Sequence, residues 1–375
     1  VYKKIGLGMA LAWFLVVSIN AEPCGAVLYR LGGTKHYSHF NVPDTAYHHY
    51  FGYLEGPAWE NKFCGYRTYV DSANRNCIDF IVKYQPGAVL QYFNDTAANE
   101  HNLNTWGTDC FNAGSSMGLG AFRLFYNNQW INPKIGKAKT IDSLVITIPD
   151  SSTATPKLVL TYYGWNLGGG TKVTVTWTIT TTLNERPTHC EVNIAGAYTG
   201  KVVVGITNNN KINHPVTIIK DSTRALLASI GLQGGLNETF TDTLLLAAYS
   251  SKTYFSSFSD DNLNSGMVLT PDANHSVKWS IAYSEKRETN PFYRSPNWED
   301  SLVQATAVLG NNRGKISNPS KAVSYQKTAE EPDVYSILGR KINARSLAVN
   351  GQKTMWVYLE KTPDGALLRR IALDK

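Results

Sequence analysis

The sequence predicts an all-β protein, with a large antiparallel β-supersandwich over residues 22–310 and a small β module at 333–375. Two observations carry this. Apolar residues recur at every second position through long stretches of the chain, the period at which side chains alternate between the faces of a strand. Aromatic residues are plentiful (21 Tyr, 13 Phe and 9 Trp) while charged residues stay at 17%, a usage that suits half-buried pleated surfaces.

The first residues, "VYKKIGLGMALAWFLVVSINAEPCG", set Lys3 and Lys4 before an apolar run from Ile5 to Ile19, with Ala21 as a cleavage residue. Residues 1–21 therefore read as a secretory signal peptide, and the run is short for a membrane helix, so no stable span is expected. Export would carry the chain through the periplasm to the medium or the cell surface. The five cysteines would then meet an oxidising compartment, where Cys64 with Cys77 is the cheapest bridge to close. None of the cysteines forms a C-x-x-C pair, which argues against a zinc ribbon.

The alternation is clearest from about Lys139. In "TKVTVTWTITTTL", Val173, Val175, Trp177 and Ile179 share one face and the threonines the other, and Gly168-Gly169-Gly170 supplies the preceding hairpin turn. "HCEVNIAG", "KVVVGITN", "HPVTIIKD", "TLLLAAYS" and "SVKWSIAYS" continue the pattern to about residue 285. Such long, even strands suggest two large packed sheets. The best helix candidate is "NWEDSLVQATAVLGNN", where Leu302, Ala305 and Leu309 keep helical spacing before Gly310. A polar, Pro-containing stretch at 311–332 reads as a linker.

The formal charge is +7, but the basic residues are scattered except near the C-terminus. Nucleic-acid binding needs a clustered basic face, so no nucleic-acid partner is predicted, and only a mild preference for anionic ligands follows. His36, His39, His48 and His49 match no closed metal site, and "GSSMGLG" lacks the lysine of a phosphate loop and the glycine order of a dinucleotide fingerprint. No metal or cofactor is predicted.

Three stretches carry a family resemblance: "AWENKFCGYRTYVDSANRNCIDFIVK", "HNLNTWGTDCFNAGSSMGLGAFRLFYNNQW" and "YYGWNLGGGTKVTVTWTITTTLNERPTHCEVNIAG". Over about residues 45–310 the chain resembles the secreted bacterial family called domain of unknown function 4861. That resemblance implies work alongside enzymes that dismantle acidic polysaccharides, with an oligosaccharide dehydratase acting on terminal uronic acids as a relative. The expected sandwich is similar to the galactose-mutarotase-like sugar enzymes. The tail, with Tyr335, Leu338-Gly339-Arg340 and the "LLRRIAL" ending, resembles the C-terminal sorting domain of type IX secretion, although Gly351 stands farther from the Tyr358 strand than that pattern has it. The secretion machinery would be its partner.

The same residues fit uronate β-elimination. The reaction must neutralise a carboxylate, remove the neighbouring C5 proton and protonate the departing O4. On a strand from Gly65 to Val70, Arg67 and Tyr69 share one face and Tyr66 and Thr68 the other. Arg67 is the candidate carboxylate clamp, His101 the base, and Tyr66 or Tyr69 the acid. Glu60 is expected to hold Arg67, with Asp109 nearby, and Trp59 and Trp298 are candidate sugar-stacking residues. Two alternatives stay open: a non-catalytic protein binding acidic oligosaccharide or polysaccharide on Trp59, Tyr69 and Trp298, or a glycoside hydrolase using Glu60 and Asp109.

Overall fold

The computed structural model describes most of residues 24–285, leaving out 29–36, 47–49, 71–75, 85–87, 91, 93–103, 151–153, 209–216, 221–222 and 235–240. Beyond residue 285 it describes four short strands. The signal-peptide, helix and linker expectations, together with His36, His48, His49, His101 and Trp298, lie outside the described residues.

Nine strands build the large sheet. In spatial order they are β14 (Thr217–Lys220), β15 (Arg224–Gly234), β16 (Thr241–Ser251), β19 (Ser276–Glu285), β12 (Thr188–Ala195), β11 (Thr171–Thr181), β10 (Lys157–Gly168), β9 (Ser143–Asp150) and β2 (His39–Val42). All neighbouring pairs run antiparallel. The alternation predicted for β11 holds: Val173, Val175, Trp177 and Ile179 are buried, and the threonines between them are half-buried on the other face. Gly168, Gly169 and Gly170 all take positive φ (92°, 60° and 83°), which is why the β10 to β11 turn uses residues without a Cβ.

Two five-stranded sheets form the second layer. One is β17 (Phe255–Asp260), β18 (Asn264–Leu269), β13 (Lys201–Thr207), β7 (Leu119–Tyr126) and β8 (Gln129–Ile131). The other, the small sheet, is β1 (Gly25–Val27), β3 (Ala58–Glu60), β4 (Gly65–Thr68), β5 (Ile78–Lys83) and β6 (Gly107–Thr108). A parallel bridge between Ile78 and Gly118 joins them side by side. Gly118 sits in the "GSSMGLG" run with φ +66°, and a Cβ there would meet the Ile78 carbonyl oxygen at 1.9 Å, so the run serves close packing against a strand.

The core lies between the layers. Phe122 of β7 packs on Trp165, Trp177 and Trp279 of the large sheet, with ring centroids 5.8, 5.2 and 5.9 Å away. Trp279 Nε1 donates to the Gly120 carbonyl at 2.9 Å, so this buried indole is satisfied across the layers. Trp59 of the small sheet is anchored in the same way, donating to Thr188 Oγ1 of β12 at 3.1 Å. The architecture is the antiparallel β-sandwich the sequence predicts. In the tail, β20 (Val334–Tyr335) pairs with β21 (Lys341–Ile342) and β22 (Met355–Lys361) with β23 (Leu367–Leu373). No helix among the described residues is long and apolar enough to cross a membrane.

Candidate functional site

The small sheet carries the motif residues, and its registers decide which of them meet. Ala58, Arg67 and Asp79 stand side by side on β3, β4 and β5, and Trp59, Tyr66 and Phe80 form the adjacent row on the opposite face. Trp59 stacks on Tyr66 (5.5 Å, 17°) and Tyr66 packs edge-on against Tyr283, all facing the core. Trp59 is 1% exposed and Tyr66 0%. Neither faces Arg67 or solvent, so the stacking role expected of Trp59 and the acid role offered to Tyr66 are not supported by their positions. Burial, then Cys64 and Tyr283, push the Tyr66 phenol well above its usual pKa and keep it neutral.

Arg67 does meet two of its expected neighbours. Its Nη2 lies 2.5 Å from Asp109 Oδ2, 2.9 Å from Asp79 Oδ2 and 3.1 Å from the Tyr69 hydroxyl, and Nε reaches Asp79 at 3.2 Å. Tyr69 donates to Asp79, and the guanidinium lies 5.2 Å from the Tyr69 ring centroid. This centre is sealed, with Arg67 4%, Tyr69 6%, Asp79 1% and Asp109 3% exposed. Burial alone would lower the Arg67 pKa, but Tyr69, Asp109, Asp79 and Glu55 together hold it well above its usual value. Burial likewise raises the Tyr69 phenol against the pull of Arg67. A guanidinium with two carboxylates and a phenol already on it is a brace between β4, β5 and the segment after β6.

Glu60 is not the residue that holds Arg67. Its Oε2 takes Lys83 Nζ at 2.8 Å, and its carboxylate accepts from the backbone N–H of Val89 (2.9 Å) and Leu90 (3.2 Å). Register explains the correction: Glu60 pairs with Gly65, two residues along β4 from Arg67, while Lys83 projects from β5 on the same face. Leu54, Ala58, Ile81, Val89, Leu90 and Trp106 form a separate apolar cluster on this side of the sheet. Cys64 and Cys77, the cheapest pair to bridge, are not joined in a disulfide; the Cys64 thiol lies 3.3 Å from Arg186 Nη1 and 3.7 Å from the Tyr283 carbonyl.

An open site lies on the opposite side of the sandwich, on the outward face of the large sheet. There a concavity of about 600 Å³ is floored by β11, β12, β19, β16 and the start of β15. Cross-strand pairing sets its residues in rows. Leu226, Tyr249, Ser280, His189 and Thr180 make one continuous row over five strands. Two residues along, Arg224 stands opposite Ser251, and Glu191 stands between Lys278 and Thr178.

In the first row Ser280 Oγ lies 2.8 Å from His189 Nδ1, and Tyr249 stands opposite Ser280 on the neighbouring strand. His189 Nε2 points to Glu185 Oε2 at 3.5 Å, where both side chains are about half exposed. Burial raises the Tyr249 phenol above its usual pKa, partly offset by the nearby Ser280 hydroxyl and the Arg224 charge. Lys278 and Glu191 form an exposed pair at 3.5 Å. The groove therefore offers cations, a neutral phenol and an imidazole to an outside molecule, within the volume range of small-ligand sites. None of these residues was singled out from the sequence, where each is one outward position of an alternating strand. The available signal was the titratable pair His189 and Glu191 on the outward face of a strand whose inward face is apolar.

The chain belongs to the family described as "Domain of unknown function (DUF4861)", which it matches over residues 21–312. No curated protein matches it. Solved structures that match include "Putative kojibiose phosphorylase from human microbiome", at 11% identity and a TM-score of 0.35, over 68% of this chain and 33% of that one. The chain thus spans about a third of the length of that structure.

Proposed function

We propose that this member of the family acts on uronate-containing oligosaccharides by β-elimination, as a carbon–oxygen lyase or dehydratase, with the substrate in the groove of the large sheet. The observation that carries the reading is the Tyr249, Ser280 and His189 row with Arg224 beside it on an open face. Elimination next to a carboxylate needs a cation to neutralise it, and Arg224, with Lys278 behind it, supplies fixed positive charge. It also needs groups to move two protons, and the row holds a phenol and an imidazole on either side of Ser280. The hydrolase reading loses support, because Glu60 and Asp109 are each buried and bound to a cation of their own.

The wider assignment follows the sequence: export through the periplasm to the medium or cell surface, with residues 333–375 as a type IX-like sorting module. Incubation with oligogalacturonate and oligoglucuronate tests the function. Growth of the ultraviolet band of an unsaturated, conjugated uronate is expected, with Arg224→Ala raising KM. Affinity without turnover would mean a carbohydrate-binding protein, and neither affinity nor turnover would remove acidic sugars from consideration.

A further inference from the structure

Resting on that reading, we infer that the groove holds two unlike subsites, one for an acidic sugar unit at Arg224 and one for a neutral unit among Lys278, Glu191 and Tyr254. Its substrate is then a mixed oligosaccharide in which uronate and neutral sugars adjoin. The order of the strands sets the two ends apart. Arg224 opens β15, while Lys278 stands on β19 and Glu191 on β12, two and three strands away. Two strand spacings come to about 10 Å. That is more than one pyranose ring spans, so the two ends meet different units of a chain.

The Lys278 end is a connected set. The Tyr254 O–H donates to Asp272 Oδ2 at 3.4 Å, the Ser276 N–H donates to Asp272 Oδ1 at 3.0 Å, and the Ser276 hydroxyl donates to Glu191 Oε1 at 2.8 Å. Lys278 Nζ lies 3.5 Å from the same Glu191 oxygen. Both contacts of Glu191 fall on Oε1, which leaves Oε2 to accept from a ligand, and an ammonium with three donors retains some to give. The two side chains are 36% and 58% exposed, within reach of a sugar. A donor and an acceptor side by side complement two neighbouring ring hydroxyls. The partly exposed Tyr254 ring, held by Asp272, offers an apolar face to the C–H side of the same unit.

A second uronate fits this end badly. The one ammonium already faces two carboxylates, Glu191 and Asp272, and the Ser276 amide above all holds the Asp272 carboxyl below its usual pKa. A uronate placed there would add a third carboxylate, whereas a neutral ring adds none, and repulsion of the wrong ligand is a route to specificity. The Arg224 end has the opposite preference, because a planar guanidinium matches a carboxylate bidentately and gains less from a neutral ring.

Calorimetry with an alternating glucuronate–glucose tetrasaccharide and with tetraglucuronate tests this. The wild-type chain is expected to bind the mixed ligand at least about tenfold more tightly, the scale of one added like-charge contact. Its formal charge of +7 would by itself favour the more acidic ligand, so that order would not come from long-range attraction. Glu191→Gln keeps the shape and removes the repulsion, and is expected to bring the two affinities within about threefold by tightening tetraglucuronate. Arg224→Ala is expected to weaken both ligands. Circular dichroism melts check that both variants fold. Equal wild-type affinities, a preference for tetraglucuronate, a ratio unmoved in folded Glu191→Gln, or wild-type binding by Arg224→Ala would each overturn the two subsites and leave the uronate reading standing. Affinity for neither ligand would overturn the uronate reading, and the subsites with it.

Discussion

The small sheet and the large sheet each present a polar centre on the side facing away from the shared core, and both centres contain a cation, a carboxylate and a tyrosine. In the small sheet they are Arg67, Asp79, Asp109 and Tyr69, at 6% exposure or less. In the large sheet they are Arg224, Glu191 and Tyr249, with His189 and Ser280 at the floor of an open groove. The difference lies in where the hydrogen-bonding capacity goes. Arg67 has two carboxylates and a phenol in place already, so its charge is spent on holding strands together. In the groove, the Lys278 and Glu191 pair is long and solvated, which leaves its charges able to act on a ligand. A motif rich in charged and aromatic residues is therefore no guide to chemistry until exposure is known.

Four substitutions can break or sharpen this contrast. The largest loss of stability is expected from Arg67→Ala, which leaves Asp79 and Asp109 as buried carboxylates without their cation; equilibrium urea unfolding should show about 3–5 kcal/mol. Glu60→Gln strands Lys83 in the same way but keeps an acceptor for the Val89 and Leu90 amides, so the same assay should give about 3 kcal/mol. Trp59→Phe removes the indole bond to Thr188 and part of a stacked ring, worth about 1–2 kcal/mol. His189→Ala should change unfolding by no more than about 0.5 kcal/mol, since its ring is half exposed, while abolishing most turnover. A stability loss at His189 as large as at Arg67 would erase the distinction between the two centres.

Much of the fold was legible because strand periodicity is a local signal. Val173 to Ile179 and the glycines at 168–170 define a strand and its turn within a few residues. The small sheet was legible in part: Arg67 and Tyr69 share a face, and Asp109 joins them, as expected. What failed there was the identity of partners. Glu60 and Arg67 lie on the same face, but the offset of β3 against β4 puts Glu60 beside Gly65, and Lys83, a strand-end residue with nothing notable around it, takes the carboxylate. The groove was illegible for a related reason. Arg224, Tyr249, Ser280 and His189 come from four strands spread over most of a hundred residues, and only the pairing registers bring them into rows. Spacing along a sequence finds turns and faces, whereas a site assembled across a sheet depends on registers that no single strand encodes.

The most direct test sets the two tyrosines against each other. Tyr69→Phe and Tyr249→Phe each remove one hydroxyl and keep the ring, and each variant is assayed for turnover of oligouronate and for its melting temperature. Tyr69→Phe is expected to lower the melting temperature and keep turnover, and Tyr249→Phe to keep the melting temperature and lose turnover by at least about a hundredfold. The opposite pattern, with turnover lost at Tyr69 and kept at Tyr249, would return the chemistry to the small sheet and contradict the account.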